Sequence, residues 1–175
     1  AEFPKRADPS RLAQYKVSGT DEEHMARFLC EYIHPMALPH EDYFPIRPVT
    51  PNVLARMTRN ITFASDEECL NVEDTGGKFW VSPNFFMDMK KGDADAHSVF
   101  LCNLFLGTNL DAYVCVGKFG KEGTKHVWVM TREPDGSVLF WETMKGRPYL
   151  LPERWKGMFL DDIQFDEAED VEEEG

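Results

Sequence analysis

No run in this 175-residue chain approaches the ~20 consecutive apolar residues that a membrane-spanning helix needs, and no signal-peptide pattern opens it. Its four cysteines, Cys30, Cys69, Cys102 and Cys115, include no Cys-x-x-Cys pair and form no tight framework. They read as reduced thiols of a soluble intracellular domain. Positive charge is scarce, with 19 Lys and Arg against 31 Asp and Glu, a net charge of −12. Residues 161–175 lack it entirely and hold nine carboxylates, so −12 less those nine leaves about −3 for residues 1–160. That balance argues against non-specific nucleic-acid binding, which needs a positive field.

Apolar material is plentiful. At 42% apolar residues, with 13 Phe and 4 Trp, the chain has enough for one core. Residues 1–19 are expected to form an N-terminal arm, 20–160 a single domain, and 161–175 a disordered acidic tail. The pattern predicts a helix over 20–33, with Thr20 as N-cap and Glu23 completing a capping box. The prolines at 35, 39, 45, 48 and 51 predict an irregular connection. Thr75-Gly76-Gly77 reads as a loop tip, and Ser82-Pro83 as the start of a short helix. From Ala94 to about Leu106 the residues are too apolar for a surface helix, so that helix is expected to be buried, with Gly107 as its stop. Three short strands follow, at 111–117, 126–131 and 137–142, the last two joined by a Pro134-Asp135-Gly136 turn. A buried helix followed by an antiparallel meander is an α+β layout.

This layout sets a helix N-terminus at Ala94, a histidine at the start of a strand, His126, and a carboxylate, Glu142, at the end of its hairpin partner. Cysteine hydrolases use such an arrangement. The helix N-terminus stabilises a thiolate, the histidine takes its proton, and the acid fixes the histidine tautomer. Pairing within the hairpin is expected to set His126 and Glu142 side by side. At position 94 there is an alanine, whose methyl group cannot attack a carbonyl.

The run Gly92-Asp93-Ala94-Asp95-Ala96-His97-Ser98, continuing through Leu101-Cys102-Asn103-Leu104-Phe105-Leu106-Gly107, resembles a motif of the transglutaminase-like (papain-like) domains of ciliary and centriolar proteins. The similarity continues through Lys125-His126-Val127-Trp128-Val129-Met130 and Phe140-Trp141-Glu142-Thr143, and covers about residues 78–150. The resemblance implies a transglutaminase/papain-like fold, a nucleophile position at Ala94, a catalytic-type histidine at His126 and its acid at Glu142. It implies either a member that has lost catalysis and binds protein, or a cysteine hydrolase or acyltransferase carrying a Cys→Ala substitution.

Basic residues border each site segment: Lys90 and Lys91, Lys118, Lys121 and Lys125, then Lys145 and Arg147. Together with His97 and Trp80 they are the candidate substrate-binding residues, suited to an acidic peptide. The resemblance points to a glutamate-rich tubulin tail as that peptide, and to the cytoplasm at a centrosome, centriole or ciliary base. No cofactor is implied. Cys30 and His34, with His24 and His40, match no metal motif, so no metal is expected. Residues 117–123 lack the order of a phosphate loop and read as a loop between strands.

Overall fold

The computed structural model describes residues 18–38, 49–70, 79–119 and 123–151. The acidic tail at 161–175, the loop tip at 75–77, Lys121 and most of the expected arm lie outside them.

The helix expected over 20–33 is absent. Strands β1 (Ser18–Thr20) and β2 (Ala26–Phe28) form an antiparallel hairpin, followed by a 3-10 turn at Leu29–Tyr32. The reason lies in Asp21, whose carboxylate accepts from the backbone N–H groups of Glu23 (2.9 Å) and Met25 (2.7 Å) and from Arg27 Nε (2.9 Å). A short acidic side chain has offered the backbone an alternative to the helix, and His24 enters the left-handed region at φ 61° to close the loop. Glu31, rather than Glu23, caps the following turn by accepting from Phe28 N.

The proline-rich stretch ends in a helix that the pattern does not announce. Thr50 accepts from Val53 N at 3.3 Å, and Pro51 opens helix α1 (Pro51–Arg59), where a missing N–H costs nothing. Strand β3 (Thr62–Phe63) and helix α2 (Asp66–Leu70) follow. Helix α3 (Pro83–Met89) is capped by Ser82, as expected, and Lys90 ends it in the left-handed region at φ 53°. Strand β4 (Lys91–Gly92) pairs in parallel with β3 and delivers the chain to helix α4 (Ala94–Gly107).

Helix α4 is the expected buried helix, with residues 96–105 all inside. Asp93 caps it by accepting from Ala96 N at 2.8 Å. Gly107 is its last residue rather than a left-handed stop. A Cβ there would lie 1.8 Å from the Met36 carbonyl oxygen, so glycine is needed for close approach and not for a positive φ.

The expected meander gains a fourth strand. Strands β5 (Asp111–Phe119), β6 (Thr124–Arg132), β7 (Val138–Glu142) and β8 (Arg147–Leu150) form one antiparallel sheet in that order. Strand β5 therefore extends into the stretch read as a loop. Phe100, Leu104 and Phe105 of α4 pack with Val129 and Trp141 of the sheet, while Trp128, Met130 and Phe140 form a separate cluster with Leu151. The α+β class is as the sequence predicts.

Arg27 and two backbone N–H groups hold the Asp21 carboxyl below its ordinary range. A depressed folded value stabilises the fold above the unfolded value of about 3.9 and loses that contribution as pH falls through the folded value. The Tm of Asp21→Asn is therefore expected below that of the parent near neutral pH. Thermal melts across pH should show the gap closing below about pH 4.

Candidate active site

One hydroxyl connects the three segments that the sequence singles out. Ser98, one helical turn after Ala94, lies with its Oγ 2.9 Å from the Ala94 carbonyl, 3.2 Å from the Val127 carbonyl and 3.2 Å from Thr143 Oγ1. Val127 follows His126 and Thr143 follows Glu142, so the first turn of α4 is tied to both strands beside their site residues. The contacts to Val127 and Thr143 are buried, where an unmade hydrogen bond is costly. Ser98 and Thr143 are the positions of this network that the sequence reading leaves unassigned. The signal available for Ser98 was its i+4 spacing from position 94, from which a serine reaches back to a helix carbonyl.

His126 Nε2 and Glu142 Oε2 are 2.7 Å apart. The contact is diagonal, since β6–β7 pairing runs from Arg132 opposite Val138 to Val129 opposite Trp141, and His126 itself stands opposite Gly117 of β5. The expected meeting of the two side chains therefore holds without direct cross-strand pairing. Their side chains are 26% and 15% exposed, so the pair is reachable from solvent yet mostly enclosed. Glu142 Oε1 also accepts from Met144 N at 3.4 Å, and the Glu142 carbonyl accepts from Lys145 N and Gly146 N. The acid is thus set by its own turn.

The other face of the pair is aromatic. The Trp128 ring meets the His126 ring edge-on at 4.5 Å between centroids. Gly117 leaves room for it, since a Cβ there would lie 3.1 Å from that indole. With Nε2–H donating to Glu142, the neutral imidazole carries its lone pair on Nδ1, the nitrogen with which a general base would take a thiol proton. Position 94 supplies no thiol.

The remaining candidates are dispersed. His97 is fully buried, with Nδ1 2.6 Å from the Asp93 carbonyl, Nε2 3.1 Å from the Ile61 carbonyl and its ring edge-on to Phe86. Trp80 is buried with Leu29 and Val99. Both expected substrate contacts are core residues, because an indole and an imidazole enclosed by apolar neighbours present no surface to a ligand. Lys91 donates to the Glu68 carbonyl at 3.1 Å, and Lys90 is exposed at the end of α3. Lys118 and Lys125 stand opposite each other on β5 and β6, and Arg147 stands opposite Glu142. Cys30 and His34 lie on and just after the 3-10 turn rather than on one α-helical face. Among the described residues no group of three metal-binding side chains converges.

A buried helix tied through Ser98 to the residues that follow a strand histidine and its carboxylate partner is a peptidase-like arrangement. The comparisons agree, for the CEP76 peptidase-like domain matches residues 78–165, half of the chain. The chain belongs to that family. It is 36% identical over 143 residues to Centrosomal protein of 76 kDa from Xenopus tropicalis and 35% identical over 143 residues to that of Homo sapiens, each covering 81% of the chain and 20% of the relative. It is also 42% identical over 79 residues to a C2 domain-containing protein of Plasmodium falciparum, covering 42% of the chain and 4% of that relative. The chain thus spans about a fifth of the length of the centrosomal relatives it matches.

Two measurements check this geometry. Ser98→Ala leaves the Val127 carbonyl and the Thr143 hydroxyl without their shared partner, and chemical denaturation should show a loss of about 1–3 kcal/mol. For neutral His126, nitrogen NMR should show a single Nε2–H tautomer with a downfield Hε2 proton, and Glu142→Ala should abolish that signal.

Proposed function

We propose that this is a catalytically silent transglutaminase/peptidase-like domain that holds a polypeptide segment where active relatives of the fold hold a substrate. The observation that carries the reading is a His126–Glu142 pair at 2.7 Å, beside a helix whose first residue is Ala94. Everything that would orient and deprotonate a nucleophile is present, and the nucleophile is a methyl group. No covalent intermediate can form on it. The domain keeps the histidine–acid pair without the reaction.

The ligand we propose is a protein segment, with an acidic peptide such as a tubulin tail as the leading case. Its support is the set of exposed cations Lys90, Lys118, Lys125 and Arg147 in the segments that border the site. Lys121 belongs to the same sequence cluster and lies outside the described residues. The net charge of −12 disfavours nucleic acid as the ligand. We place the domain in the cytoplasm at a centrosome, centriole or ciliary base, in keeping with the name that its relatives carry.

A second reading is favoured by the pair itself. A domain that still joins its histidine to its acid is one thiol away from a cysteine hydrolase or acyltransferase on polypeptides. Ala94→Cys separates the two. Among the existing thiols Cys30 is exposed, whereas burial pushes Cys102 up to about 12 and Cys115 up to about 11, which leaves both unreactive. Under the binding reading, iodoacetamide near neutral pH should label Cys30 first and the new thiol no faster. Labelling at position 94 about tenfold faster than at Cys30, together with peptide cleavage, would establish the enzyme.

A further inference from the structure

The β7–β8 turn gathers cations that the site does not use. Arg59, in the last turn of α1, lays its aliphatic stem against Gly146, where a Cβ would sit 3.0 Å from Arg59 Cδ. Its Nη1 donates to the Lys145 carbonyl at 3.4 Å. Lys145 Nζ lies 5.9 Å from the centroid of the Tyr149 ring and Arg147 Cζ 5.2 Å from it, while Arg147 Nε donates to the Tyr149 hydroxyl at 3.0 Å. Arg56 stands one turn before Arg59 on the same face of α1. Arg56, Arg59, Lys145 and Arg147 are all exposed.

Arg59, Lys145 and Arg147 meet around a carbonyl, an aromatic ring and a glycine, with Arg56 one turn away on α1. Among the described residues no ion pair involves Arg56, Arg59 or Lys145, in a chain with 31 carboxylates. The last turn of α1 accounts for two of them, since cations complement a helix C-terminus. Lys145 has no such reason to be there. Arg147 stands opposite Glu142, whose Oε2 meets His126, so the patch borders the paired site residues.

We propose that Arg56, Arg59, Lys145 and Arg147 form a docking surface for a carboxylate-rich peptide segment that crosses the β7–β8 turn toward the His126–Glu142 pair. The inference rests on the polypeptide-binding reading and assigns the charge recognition to this turn. Guanidinium forks match carboxylates in two-point contacts, and three of the four cations are arginine. A nucleic acid fits less well, because Lys145 and Arg147 already sit over the Tyr149 ring and leave no open platform on which a base could stack. The acidic chain as a whole also repels a long polyanion.

The test measures binding of a glutamate-rich peptide, its glutamine counterpart of equal length, and a single-stranded oligonucleotide to the whole chain. Arg59→Glu, Lys145→Glu and Arg147→Glu are compared with Arg132→Glu, an equal charge change on the surface at the far end of β6, and circular dichroism confirms that each folds. The expected result is preference for the glutamate peptide, with an affinity loss of about tenfold for each reversal at the turn and under about twofold for Arg132→Glu. Equal loss from all four reversals, or tighter binding of the oligonucleotide, overturns the proposal. Equal binding of both peptides, insensitive to the reversals, overturns the patch and leaves the polypeptide-binding reading standing. Binding of neither peptide ends both.

Discussion

Helix α4 has no outward face over residues 96–105, and the rest of the described structure is arranged to cover it. A helix buried all round must also satisfy every polar side chain it carries. It carries three, and each draws in a different stretch of chain. His97 holds the Ile61 carbonyl at the α1–β3 corner. Ser98 holds Val127 and Thr143 of the sheet. Asn103 accepts from His34 N, donates to the Tyr32 carbonyl at 2.7 Å, and gives its own carbonyl to Met36 N. The polar exceptions within an apolar helix therefore set where its neighbours lie. The candidate site is the Ser98 member of this set.

Legibility in the sequence follows the same physics. Helix α4 and the central strands stand out because burial demands a density of apolar residues that surface segments lack. The candidate site positions follow from it, since Ala94 begins α4 and Glu142 ends β7, while His126 is the third residue of β6 because that strand starts two residues before the expected one. The stretch over residues 20–33 misleads because a capping-box pattern and an Asp-led turn use the same residues. Only the fold reveals that Asp21 binds Glu23 N, Met25 N and Arg27 instead of starting a helix. Helix α1 is missed for the complementary reason, that Pro51 reads as one more irregular proline although it opens the helix. Strand β8 is short, with Leu150 63% exposed at its end, and gives no alternation to read.

The basic residues that border the site segments in sequence lie on several different elements of the fold. Lys91 is held by a carbonyl beside α2, Lys118 and Lys125 face each other across β5 and β6, and Arg147 joins a group that includes Arg59 from a helix the sequence pattern does not announce. Charge proximity along a chain says little about proximity in space when a fourth strand returns the chain past the acid. Family membership fixes the coarse reading of a peptidase-like domain.

The bonds at Ser98 have one further meaning. They engage a backbone carbonyl next to His126 and the side chain next to Glu142, but neither of the two site side chains themselves. The placement of helix α4 against both strands is consequently an obligation of folding. It does not depend on which side chain stands at position 94, because none of these bonds runs through that side chain.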